Sequence, residues 1–117
     1  MLAKLLSGTG KGAYFVRLYS ELFEEKLGIR PFPGTLNLVT ESVPILSPLK
    51  KISIQKEGYG AVDCYPILFQ GYYTYKAFLL RPHKTTHPEN ILEIISEINL
   101  RKHLNVRDGD VIECELA

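Results

Sequence analysis

At 117 residues, with 14 basic residues against 13 acidic ones and a formal charge of +1, the chain carries no global field recommending DNA, RNA or an anionic membrane as partner. The length is that of one domain able to bury a real core, read here as a single domain over 1–117, and the mixed composition is that of a soluble globular protein. Apolar runs fall far short of the roughly 20 residues that span a bilayer, and Met1-Leu2-Ala3-Lys4-Leu5-Leu6 is too short for a signal peptide's apolar region before the glycines arrive, so the expected location is the cytoplasm.

In chain order, residues 2–7 and 13–18 read as strands flanking a glycine-rich loop. Ser20 suits the cap of a short helix over 21–27, with Tyr19, Leu22, Phe23 and Leu27 as its inner stripe and Gly28 as a left-handed stop. Strand signals then dominate: 34–39, 51–55, and two longer runs at 61–70 and 72–80. Pro66 predicts an edge or a bulge in its strand. Pro88 and Glu89 suit the start of a second helix, to which Ile91, Leu92, Ile95 and Ile98 supply an apolar face. An Asp-Gly turn at 105–110 and a strand over 111–116 close the chain. Some six strands and two helices that do not alternate as βαβ units predict a mainly β fold, an antiparallel β-barrel with short inserted helices. Cys64 and Cys114 form no CxxC pair and are expected as reduced, buried thiols.

Three stretches can carry chemistry. Gly8-Thr9-Gly10-Lys11-Gly12-Ala13 lets the backbone approach an anion closely, and Lys11 adds a mobile positive charge. It lacks the Gly-Lys-Ser/Thr ending of a Walker loop, and the strand expected after it argues against both Walker and Rossmann loops. Alone, such a loop is more often a tight turn. In Pro31-Phe32-Pro33-Gly34-Thr35-Leu36-Asn37-Leu38, Thr35 and Asn37 leave one face of a strand while Leu36 and Leu38 point to the core. Two neutral oxygens suit a Mg²⁺ ion that arrives with a nucleotide, but alone they more often mark a strand face turned to solvent. The third stretch, 81–89, gathers hydroxyls, bases and imidazoles. His83 and His87 have no thiolate or carboxylate to complete a zinc set. Glu89, Glu93 and Glu97, at helical spacing, read as a solvated stripe, with Glu93 placed to lean over the Thr85 loop.

Taken together, in order and spacing, these segments resemble the archaeal CTP-dependent riboflavin kinases. The likeness runs through the SGxGxG-x-Y-F loop (7–15), P-x-x-GTLNL (31–38), P-x-KT-x-H (82–87), Ile91-Leu92-Glu93-Ile94-Ile95, Leu100-Arg101 and Asp108-Gly109-Asp110-Val111-Ile112. The resemblance implies a six-stranded cradle-loop barrel that transfers the CTP γ-phosphate to the 5′-hydroxyl of riboflavin, giving FMN and CDP; separately from the resemblance, a monomer is expected. By position, Gly8, Thr9, Gly10, Lys11, Gly12 and Ala13 would cradle the nucleotide, and Ile98, Asn99, Leu100 and Arg101 would line its base and ribose. Thr35 and Asn37 would hold Mg²⁺, and Thr85 and Glu93 would contact riboflavin or FMN. From the residues themselves, Glu93 is a candidate general base if it reaches the ribityl 5′-hydroxyl, and a binding group if it meets the ring system instead. The family's loop often carries an acidic residue and then a basic one where this chain has Lys11 and Ala13, so the basic duty falls to Lys11 or is lost. Some relatives carry an N-terminal helix-turn-helix domain; none is read here, and no nucleic-acid or membrane partner is expected. The alternatives are a non-catalytic barrel of transcription-factor type, which near-neutral charge disfavours, and a flavin carrier, which would not need Thr35 and Asn37.

Overall fold

The computed structural model describes residues 1–8 and 10–117. Among them the elements run β1 (Leu2–Leu6), α1 (Lys11–Leu27), β2 (Leu36–Val39), β3 (Ile52–Lys56), β4 (Gly60–Gln70), β5 (Thr74–Pro82), β6 (Ile91–Ile95), α2 (Leu100–His103) and β7 (Val111–Leu116), with a single 3₁₀ turn at Pro48–Lys50. Every strand pairing is antiparallel, and the order β4-β5-β6-β2-β1-β7 returns to β4, so six strands close into a ring. The mainly β, barrel-like class expected from the sequence is the observed one. The seventh strand, β3, stands outside the ring and pairs only with the first half of β4.

Closure depends on β4 changing neighbours. Its early residues, up to Cys64, pair with β3, and from Ile67 onward it pairs with β7, while β5 accompanies it throughout. Pro66 falls between the residues of β4 that pair with β3 and those that pair with β7, and its carbonyl accepts from the Ala117 N–H at 3.1 Å. The sequence signal for an edge or bulge thus marks a handover, with register against β5 unbroken.

Alternation of side chains along the strands builds two cores. Leu5, Leu36, Leu38, Phe69, Leu79, Leu92 and Ile94 fill the ring. On the outside, α1 lays Val16, Tyr19 and Phe23 over Ile54, Val62, Cys64, Leu80 and Ile95. Phe15 stacks on Tyr19 with ring centroids 4.7 Å apart. Phe23 is fully buried there, and truncation to Ala would cost about 3–5 kcal/mol. Cys64 and Cys114, one in each core, are free and buried, and burial pushes their thiols up to about 12 and about 11.

Two sequence expectations are overturned. Residues 13–18 are helical: α1 begins at Lys11, and the segment read as a helix over 21–27 is its second half, ending as expected at Gly28 (φ 71°), whose N–H reaches Glu24 O. Aromatic and β-branched residues at 14–16 favour strand locally, but Val16, Tyr19 and Phe23 at helical spacing win by covering the outer sheet face. Conversely, 91–95 is the strand β6, not a helix. Leu92 and Ile94 face the ring interior while Ile95 faces α1, so this isoleucine-rich run is buried on two sides. No helix among the described residues is long and apolar enough to cross a membrane.

Candidate active site

The outer face of the ring is left open where α1 begins. Gly10, in the left-handed region at φ 82°, turns the chain from the β1 loop into the helix. Gly10 offers no side-chain cap and the first turn holds no acidic residue. The first-turn N–H groups and the positive end of a 17-residue helix therefore favour an anion in front of them. This corrects the expected flank: a helix, not a strand, follows the glycines. The sheet is nevertheless antiparallel, and the loop still lacks the Gly-Lys-Ser/Thr ending. Thr9 lies outside the described residues.

Two glycines let this loop press on the Thr35–Asn37 strand. A Cβ on Gly8 would come 3.2 Å from Asn37 Nδ2, and one on Gly12 would collide with Thr35 Oγ1. Thr35 immediately precedes β2 and Asn37 lies within it, while Leu36 and Leu38 are buried inside the ring, as their alternation requires. Across the β2–β6 ladder Asn37 stands opposite Glu93. Glu93 therefore reaches the site as a cross-strand neighbour, and not from a helix face as its spacing to Glu89 and Glu97 suggested.

The loop after β5 supplies the facing wall. Arg81 anchors it by donating to the carbonyls of Ile91, at 3.0 Å, and Glu89. The His87 N–H donates to Thr85 Oγ1 at 3.1 Å, and His87 Nδ1 lies 3.0 Å from Glu93 Oε1. His83 turns away, its Nε2 lying 3.0 Å from Asp63 Oδ2. The two imidazoles thus serve different carboxylates.

These walls enclose a cleft of about 460 Å³, lined among others by Ser7, Lys11, Gly12, Phe15, Thr35, Asn37, Lys84, Thr85, His87 and Glu93. A second cleft, of about 210 Å³, shares Thr35 with it and is lined by Phe32, Gly34, Leu36, Ile94, Ser96, Ile98, Asn99, Leu100 and Arg101. Expected site residues from four separate stretches of the chain thus meet around Thr35. Of the expected nucleotide loop, Lys11 and Gly12 line the larger cleft, whereas Gly8, Gly10 and Ala13 line neither. Three side chains of the second cleft are already engaged: Asn99 Oδ1 caps α2 by accepting from the Lys102 N–H, Arg101 binds Asp108 and the Leu6 carbonyl, and the Ser96 hydroxyl donates to the Lys76 carbonyl and accepts from the Ile98 N–H. With these side chains engaged, the cleft presents mainly backbone groups and apolar surface. Sequence reasoning missed Phe15 as a wall of the site, because a strand over 13–18 does not carry it there. The His87–Glu93 pair was also missed, because it requires Glu93 on a strand.

The family model for CTP-dependent riboflavin kinases, described as a domain of unknown function, DUF120, matches residues 5–116. A riboflavin kinase of Thermococcus kodakarensis is 38% identical over 99% of this chain and 58% of its own length. One of Staphylothermus marinus is 42% identical over 94% of this chain and 85% of its own, and one of Methanocella arvoryzae is 36% identical over 99% and 56%. The chain thus spans little more than half the length of two of these relatives. With the match running through every wall of both clefts, the chain belongs to the archaeal CTP-dependent riboflavin kinase family.

Proposed function

We propose that this domain phosphorylates riboflavin at its 5′-hydroxyl, taking the γ-phosphate of CTP with Mg²⁺ and releasing FMN, CDP and a proton. The observation that carries this reading is the meeting of the helix N-terminus and glycine loop with Thr35, Asn37, Thr85 and Glu93 in one cleft, joined at Thr35 to a second. Phosphoryl transfer asks mainly for alignment and charge neutralisation. The glycine loop, the first turn of α1 and Lys11 supply donors and positive charge for the phosphates, and residues 98–101 the cleft for base and ribose.

Thr35 and Asn37 are the residues that would hold the metal. Their oxygens share a face lining the cleft, and two neutral oxygen donors fit a hard cation that keeps water and phosphate ligands. When bound, the ion neutralises charge on the phosphate oxygens. Thr85 and Glu93 contact the riboflavin. As the 5′-oxygen bonds to the γ-phosphorus and the bond to the β-phosphate oxygen breaks, Glu93, held by His87, accepts the hydroxyl proton.

The test is to incubate the protein with riboflavin, Mg²⁺ and each of CTP, ATP, GTP and UTP, and to follow FMN chromatographically. FMN with CTP is expected. Its absence with all four nucleotides would sink the kinase reading, and preference for ATP would sink the assignment of the donor.

A further inference from the structure

The closing turn contains two aspartates with different work. Asp110 serves the turn itself: its Oδ2 accepts from the Arg107 N–H at 2.8 Å, and its own N–H donates to the Arg107 carbonyl at 3.0 Å. Backbone bonds then fasten the turn to β1, from Gly109 N–H to Leu5 O at 2.9 Å and from Leu5 N–H to Asp110 O at 2.8 Å. None of these uses the Asp108 side chain. Its carboxylate bridges two other segments, accepting from Ser7 Oγ at 2.5 Å on one oxygen and from the Arg101 guanidinium at 2.5 Å on the other. The second terminal nitrogen of Arg101 donates to the Leu6 carbonyl at 3.3 Å.

Ser7 lines the larger cleft and leads directly into Gly8, whereas Arg101 lines the smaller one. Asp108 lines neither, yet its carboxylate ties their ends together. We propose that Asp108 is a positioning residue for nucleotide binding, holding the start of the glycine loop at a fixed spacing from the 98–101 segment. The inference rests on the reading of these two clefts as the nucleotide site.

Two physical points favour this role over a purely structural one. The Asp108 carboxylate is about half exposed, and ion pairs in that setting add little to global stability. Charge-assisted bonds of this length do fix relative position, and a site whose walls are already set loses less freedom when its ligand binds. The Ser7 and Arg101 bonds also hold Asp108 below the usual carboxylate range, so it stays ionised through neutral pH.

The experiment compares wild type with Asp108→Ala, Asp108→Asn and Ser7→Ala. CTP affinity is read by calorimetry, riboflavin affinity by flavin fluorescence, and backbone amide exchange in the ligand-free protein. Asp108→Ala is expected to weaken CTP binding about tenfold, the size of one lost charge-assisted bond. It should leave riboflavin affinity unchanged and speed exchange in the glycine loop and over 98–101. Ser7→Ala should show part of the effect, and Asp108→Asn, which keeps an acceptor for Arg101, should recover part of it. Unchanged CTP affinity in Asp108→Ala overturns the proposal, as does an equal loss of CTP and riboflavin binding with a lowered melting temperature. If wild type binds no nucleotide, the functional reading fails. The brace is then judged on amide exchange alone, and unchanged exchange in Asp108→Ala overturns it.

Discussion

Asn37 and Glu93 face each other across the β2–β6 ladder, on the outer side of the ring whose inner side is filled by Leu36, Leu38, Leu92 and Ile94. Directly opposite residues in an antiparallel pair hold their Cβ atoms about 5 Å apart. A neutral oxygen donor and a carboxylate are thereby fixed side by side by backbone pairing, with no loop needed to order them. The glycine loop and the start of α1 then close over this pair from one side, and the 83–90 loop from the other.

That geometry makes Thr35 and Asn37 separable from the fold. Neither side chain belongs to a core, so Thr35→Ala and Asn37→Ala should each retain the wild-type circular dichroism spectrum and melting temperature within about 1 kcal/mol of stability. Both should lose FMN formation and bind Mg²⁺ more weakly in the presence of a nucleotide, as read by titration of the metal. Full activity in both variants would remove them from the metal assignment.

Gly12 offers a sharper probe of the same wall. Inside a helix, Gly→Ala ordinarily stabilises by roughly 0.5–1 kcal/mol. Here the added methyl would collide with Thr35 Oγ1 and lie 3.1 Å from both Thr35 Cβ and Cγ2, so either Thr35 or the first turn of α1 must shift. Gly12→Ala should therefore gain no stability and lower kcat/KM for FMN formation on the order of a hundredfold, the cost of misplacing groups in a transfer site. A variant more stable and equally active would show that the first turn does not need its present spacing from Thr35.

What the sequence made legible, and what it hid, follow from the range of the interactions involved. The shared face of Thr35 and Asn37 comes from a strand period of two, a local property, and it is present as expected. The place of Glu93 is not local. A five-residue isoleucine-rich run fits a buried strand or a helix equally well by periodicity, and only its pairing with β2 and β5 decides. The same holds for residues 13–18, whose aromatic content favours strand until the outer face of β3–β4–β5 offers a helix somewhere to pack. Ring closure rests on the β4–β7 pairing, between segments far apart in the chain. Pro66 was its one trace in the sequence, pointing to the right place for a different reason.

His87 should prove a positioning residue. It holds Glu93 at 3.0 Å while being tied through its own N–H to Thr85. His87→Ala should lower kcat for FMN formation by about tenfold, within the range for removing support from a general base, with the KM for CTP little changed. His87→Gln, which retains a donor, should recover part of the loss. A rise in the KM for CTP at constant kcat would instead assign His87 to nucleotide binding.

Acid stability should depend on Asp63, a carboxylate that lines neither cleft. Asp63 on β4 is largely buried, which by itself raises its pKa, but hydrogen bonds from Ser53 on β3, at 2.7 Å, and from His83, at 3.0 Å, outweigh burial and hold it below its ordinary 3.8. A group whose folded pKa is depressed contributes stability that is fully present above the unfolded value and is lost as pH falls through the folded one. The native protein should therefore lose this contribution only below about pH 4, as Asp63 takes up a proton and releases Ser53 and His83. Asp108, also depressed, acts with the same sign, so the comparison must be between wild type and a variant at Asp63 alone. Asp63→Asn should be less stable than wild type at neutral pH, with the difference shrinking as pH falls below 4. Urea midpoints measured across that window decide the matter: a difference independent of pH would mean that Asp63 stabilises the β3–β4 pair by shape alone, and that its charge contributes nothing.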